Sequence, residues 1–89
     1  MKVYLFECVD PYEQRLVFAT YPQAVDHFIS FITNSPENFD EDDREMLAWV
    51  ELQAGKRWQD YLKEDLPLKD FNEAFSELAT ITEFEVITN

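Results

Sequence analysis

The stretch "KVYLFECV", residues 2–9, constrains the fold more than any other part of the chain. Val3, Tyr4, Leu5 and Phe6 are consecutive apolar residues, so a strand here is apolar on both faces. That pattern suits the centre of a sheet, where both neighbours and a covering layer bury it. The rest of the chain must therefore supply two flanking strands and helices to pack on them. "DPYEQ" (10–14) predicts a turn, with Asp10 and Pro11 as turn formers. "RLVFAT" (15–20) then returns as a second strand and closes a hairpin. At the far end "TITEFEVIT" (80–88) alternates with period two. It puts Thr82, Phe84 and Val86 on one face and Ile81, Glu83, Glu85 and Ile87 on the other, as a third strand does.

Between the hairpin and the last strand the apolar period changes from two to that of a helix. Thr20 and Gln23 have the spacing of a capping box, with Pro22 tolerated in the first turn. Val25, Phe28, Ile29 and Ile32 form the core stripe, flanked by Ala24 and Phe31. His27 falls about 160–180° from the centre of that stripe and is expected to face water. "NSPEN" (34–38) stops this helix, and Ser35, Pro36 and Glu37 read as the cap and first turn of the next. Leu47, Val50, Ala54, Trp58 and Tyr61 then stay on one helical face, with Met46 and Leu62 beside them. The unbroken phase favours one long helix over about 40–64. Gly55, followed by Lys56 and Arg57, leaves a break into two helices open. After "DLPL" (65–68), Asp70 and Glu73 have capping-box spacing, and Leu68, Phe71, Ala74, Phe75 and Leu78 form the stripe of a last short helix. The expected architecture is a small α+β domain spanning 1–89 in ββαααβ order. A three-stranded antiparallel sheet, with strand one central, is packed by about three helices.

A chain of 89 residues buries only about 60–65% of its unfolded surface, so its apolar residues must be used well. Eight Phe, four Tyr and two Trp supply that burial and argue against disorder. Groups for chemistry are scarce. The lone Cys8 lies in an apolar run, which predicts a buried, inert thiol and excludes an internal disulfide. One His and one Cys are too few for a structural zinc site, and a single glycine leaves no phosphate loop. "DEDDRE" lacks the alternating oxygens and the sixth-position glycine of a calcium loop. The expectation is a protein that is not an enzyme and has no metal or cofactor. The opening "MKVYLFECVD" does not read as a signal peptide, and no apolar run approaches the length of a membrane span. A cytoplasmic protein without membrane contact is expected.

Charge is the remaining signal. Nineteen acids against seven bases give −12, beyond the magnitude of about 2–8 usual for a small domain. Residues 1–36 hold four acids and two bases, whereas 37–89 hold fifteen acids and five bases. Such a surface repels nucleic-acid phosphates and anionic lipid and attracts a basic partner. In "ENFDEDDRE" (37–45), Glu37, Asp40, Glu41, Asp42, Asp43 and Glu45 put six acids into nine positions. Helix capping accounts for two or three of them, because acids in a first turn gain only about 0.3–1 kcal/mol each and repel one another. Asp70, Glu73 and Glu77 are expected as a charged column opposite the apolar stripe of the last helix. Trp49 and Leu52 fall on the far side of the long helix from Leu47, Val50 and Ala54; they form an apolar anchor inside an acidic surround if the other elements cover only one side of the helix, and a buried pair if another helix covers them.

By size and charge alone, with no shared motif, the chain resembles the acidic nucleic-acid mimics. These are phage-encoded inhibitors of DNA-binding machinery, anti-CRISPR proteins among them, and nuclease-neutralising immunity proteins. The resemblance implies a non-enzymatic inhibitor whose partner is a basic, nucleic-acid-binding protein. The alternative is a small adaptor or oligomerisation domain whose acidity serves solubility. Either way, carboxylates that repel one another make the fold salt-sensitive. The melting midpoint is expected to rise as salt increases from about 0.05 to about 0.5 M, read by circular dichroism; a steady fall would mean that most acids are paired.

Overall fold

The computed structural model describes residues 1–8, 13–34, 40–64 and 66–87. The elements run β1 (Lys2–Cys8), β2 (Gln14–Phe18), α1 (Tyr21–Asn34), α2 (Glu41–Ala54), α3 (Trp58–Lys63), α4 (Leu68–Phe75) and β3 (Thr80–Glu85). The sheet is antiparallel in the order β2-β1-β3, so β1 is central as its sequence predicts. Register opposes Phe6 to Leu16 on one side and to Ile81 on the other. The α+β class and the order of elements agree with the sequence, with four helices among the described residues in place of about three. The expected turn at Asp10 and Pro11 and the expected cap at Ser35, Pro36 and Glu37 lie outside the described residues.

The long helix is broken where glycine permits it. Gly55 takes the left-handed conformation, φ 72°, and its N–H donates to the Glu51 carbonyl at 2.9 Å. A residue with a Cβ disfavours that conformation, whereas glycine takes it freely. Glu51 then reaches forward, and its Oε2 accepts the first amide of α3, Trp58 N–H, at 3.0 Å. The break leaves Trp58 and Leu62 buried alongside Val50. The same residues therefore face the core with or without it, which is why periodicity alone favours one helix.

The helices pack on one face of the sheet. β1 contributes Phe6 and Cys8, β3 contributes Ile81, and α1 contributes Ala24, Val25, Phe28 and Ile32. Phe28 is the meeting point. Its ring lies 5.1 Å from Phe71, 5.2 Å from Phe75 and 6.0 Å from Trp58, all edge-on. It also lies 6.3 Å from Phe6. Such geometry sets the positive edge of one ring against the negative face of another, worth about 0.5–1.5 kcal/mol per pair beyond burial. On the flank of the sheet, Asn72 of α4 donates to the Ile81 carbonyl at 2.8 Å and accepts its N–H at 2.9 Å. That amide satisfies both outward backbone groups of Ile81 on the β3 edge.

Phe28→Ala removes the shared ring from four contacts and is expected to cost about 3–5 kcal/mol, the range for a buried Phe. Leu52→Ala, at a position 77% exposed, is expected to change stability by no more than about 0.5 kcal/mol. Urea titration of both variants checks the contrast.

Candidate partner-binding surface

The acidic run begins with two residues used by the backbone. Asp40 is the N-cap of α2; its carboxylate accepts Asp43 N–H at 2.9 Å, and Asp43 Oδ2 accepts Asp40 N–H at 3.3 Å. This capping box satisfies two helix-end donors reciprocally. Glu41, Asp42 and Asp43 also sit in the first turn, where the helix dipole favours acids. Asp43 is half-buried, while Glu41, Asp42 and Glu45 are exposed. Glu37 lies outside the described residues.

Val50 is the only described α2 residue that is fully buried, so most of this helix faces outward. On an ideal helix Glu41, Glu45 and Leu52 lie within about 40° of one another, with Trp49 and Asp42 on the adjoining flank. The structure leaves Trp49 60% exposed and Leu52 77% exposed. No other described helix covers them, so the apolar pair and these three acids form one surface. Beside it runs a groove of about 290 Å³, lined by Trp49, Val50, Gln53, Ala54, Tyr61 and Ala74 from α2, α3 and α4. Its volume is near the lower end of small-molecule pockets, roughly 300–1,000 Å³. Gln53, Tyr61 and Ala74 were not legible as surface residues in the sequence, because the groove exists only once three helices converge.

The second acidic group is arranged differently from its expectation. Pro67, not Asp70, is the N-cap of α4, and it makes no side-chain cap bond. Proline's fixed φ and extended ψ start the helix at Leu68, which puts Asp70 in the third helical position. Asp70 is half-buried, whereas Glu73 and Glu77 are exposed. The helix ends at Phe75, and Glu77 lies in the following turn, closed by Leu78 N–H on the Phe75 carbonyl at 2.9 Å. The predicted straight column is thus two helical residues and one turn residue. Burial, and secondarily the Asp70 charge, push the Tyr21 hydroxyl up to about 12.

Ion pairing divides the acids into two groups. Among the described residues Glu7 pairs with Arg15 at 3.4 Å, Glu83 with Lys2 at 2.9 Å, and Glu85 with the amino-terminal ammonium at 3.4 Å. Glu64 pairs with Lys56. Hydrogen bonding to Glu83, reinforced by its charge, raises the Lys2 pKa. Glu41, Asp42, Glu45, Glu73 and Glu77 take part in none of these pairs.

His27 is half-buried rather than turned fully to water. Its Nε2 lies 3.2 Å from Gln14 Oε1, and its ring is 5.0 Å from Phe6, 5.4 Å from Phe18 and 6.3 Å from Phe31. The buried face of α1 is centred near Phe28 and Ala24, with Ile29 only half-buried. Equal weight on Ile29 in the sequence pattern turns the stripe away from His27. Cys8 is 2% exposed, as expected, so its thiol is closed to substrate. Among the described residues no group of three or more His, Cys, Asp or Glu is placed to hold a metal. Nor is any helix of these residues long and apolar enough to cross a membrane. No protein-family model, curated protein or solved structure matches the chain.

Burial lowers the His27 pKa below its ordinary 6.5. The unfolded chain therefore takes up the proton more readily than the folded one. This contribution to stability is complete above 6.5 and is lost as pH falls through the lowered folded value. The melting midpoint is expected to drop between about pH 7.5 and about pH 5.5, and His27→Phe to flatten that limb. An unchanged slope in the variant would remove His27 as the cause.

Proposed function

We propose that this protein is a non-enzymatic, cytoplasmic inhibitor that binds a basic, nucleic-acid-binding protein through the outer face of α2 and the adjoining groove. One observation carries the reading: Trp49 and Leu52, 60% and 77% exposed, share a helix face with Glu41, Asp42 and Glu45. Exposed Trp and Leu gain nothing from the monomer's fold, and water solvates them poorly. Clustered acids raise no stability beyond capping. Together they suit a partner that brings cations to the rim and an apolar surface to the centre, with Trp49 as the desolvated anchor.

The acids act before contact. A field of one sign steers a basic groove toward this surface and makes association fast and salt-sensitive. Glu73 and Glu77 extend the field from α4, and the carboxylates occupy places that phosphates hold on a nucleic acid. In this reading the protein competes with DNA or RNA for its partner, as the phage anti-defence and nuclease-neutralising inhibitors do. An adaptor whose acidity serves only solubility would bind through its apolar patch with little dependence on salt.

The partner is obtained by affinity capture from a cell extract at low salt, eluted by a salt step and identified. Asp42→Lys with Glu45→Lys is the informative charge reversal, because it spares the Asp40–Asp43 capping box. It is expected to slow association with the captured protein by about tenfold or more at low salt, and by less at high salt. Trp49→Ala is expected to speed dissociation, with a loss of about 2 kcal/mol or more. If both variants bind as the wild type does while keeping its helical spectrum, this surface is not the contact.

A further inference from the structure

We infer that the outer face of the sheet, turned away from the helices, is a self-association surface on which two copies pair sheet against sheet. Strand alternation puts Phe6, Cys8 and Ile81 toward the helices. It puts Val3, Leu5, Val17 and Phe84 on the opposite side, where Leu5 pairs with Val17 and Thr82, and Val3 pairs with Phe84. None of these four belongs to the core cluster or packs against it. Val17 is 64% exposed and Phe84 47% exposed. An antiparallel sheet with one face in water ordinarily alternates apolar-in and polar-out. Here β1 is apolar on both sides, and the fold of the described residues uses only one of them.

Charge selects the occupant. The chain carries −12, so two copies repel wherever their helical layers meet. The sheet is the exception. Within the paired strands the acid on the outer face is Glu7, held by Arg15 at 3.4 Å, whereas Glu83 and Glu85 alternate to the helix side with Ile81. A second copy can approach this neutral face without bringing unpaired acids together. Lateral pairing along the β3 edge is obstructed, because Asn72 already occupies both outward backbone groups of Ile81. Stacking face to face needs no free edge.

The area sets the strength. Three strands of 7, 5 and 6 residues, spaced about 4.8 Å apart, give a footprint of roughly 14 by 20 Å on each copy. Over two copies that is about 600 Å², and even with side-chain relief it lies below the about 1,200–2,000 Å² total that stable pairs bury. The dimer is accordingly weak and concentration-dependent. Pairing through the sheets leaves both helical layers outward, so each dimer presents two α2 surfaces.

Sedimentation equilibrium of the full chain, over rising protein concentration at low and high salt, tests the inference. The average mass is expected to climb toward two copies, and to climb further at high salt, where long-range repulsion is screened. Val17→Glu and Thr82→Glu, on the two strands flanking Leu5, are expected to hold the protein monomeric. Thr82→Glu replaces an exposed polar residue and decides the matter if Val17→Glu fails to fold. Leu52→Glu on α2 is expected to leave dimerisation intact. A wild type that stays monomeric throughout overturns the inference. So does a dimer that survives Thr82→Glu with a native spectrum, or one that Leu52→Glu abolishes.

Discussion

The fold depends on the edge-on packing of aromatic rings around Phe28. That ring reaches α3 through Trp58, α4 through Phe71 and Phe75, and the central strand through Phe6. Small domains bury a smaller fraction of their surface than large ones, so a few large side chains must join several elements at once. Phe28 does this from the middle of α1, at 1% exposure. α2 is outside this set of rings and is fixed by Val50, by Met46 and Leu47 packed against the core, by its capping box and by the bond from Glu51 to α3. A helix held along this one side presents the opposite side outward, which places Trp49 and Leu52 in solvent.

The same division governs charge. Along the chain, the acidic excess is only a difference between early and late residues. In space it becomes a difference between layers. The strands hold acids and cations in matched pairs, while α2 and the end of α4 carry acids outside those pairs. One layer is neutral and apolar on its outer side; the other is acidic with an apolar anchor. In the two proposals above, surfaces of different chemistry serve self-association and partner binding, so the two need not compete, and salt is expected to strengthen the first and weaken the second.

Much of this was legible in the sequence because local patterns sufficed. The apolar run of β1 gave its central place, Thr20 gave the start of α1 through its bond to Gln23 N–H at 3.3 Å, and helical phase gave the side of α2 on which Trp49 and Leu52 lie, while their exposure followed only from the packing. The misses share a cause: each turned on a contact between elements or on a choice between equal local patterns. The break at Gly55 preserves phase, so periodicity does not register it. His27 is drawn inward by three rings from two strands and its own helix. Asp70 has a cap's spacing to Glu73, but Pro67 starts the helix first. Asn72, which completes the β3 edge, gave no sequence signal because its partner lies on another element. The groove beside Trp49 belongs to three helices and to no single segment.

The central claim is that the outer face of α2 is where a basic partner docks, and the two tryptophans report on it directly. Trp58 is 7% exposed and Trp49 is 60% exposed, so acrylamide reaches one and largely spares the other. Quenching of tryptophan emission, measured on the free protein and on its complex with a captured tryptophan-free fragment of the partner, separates the possibilities. The account predicts that the accessible component disappears in the complex while the Trp58 component is unchanged. An accessible component of equal size in the complex would place the partner elsewhere and contradict the account.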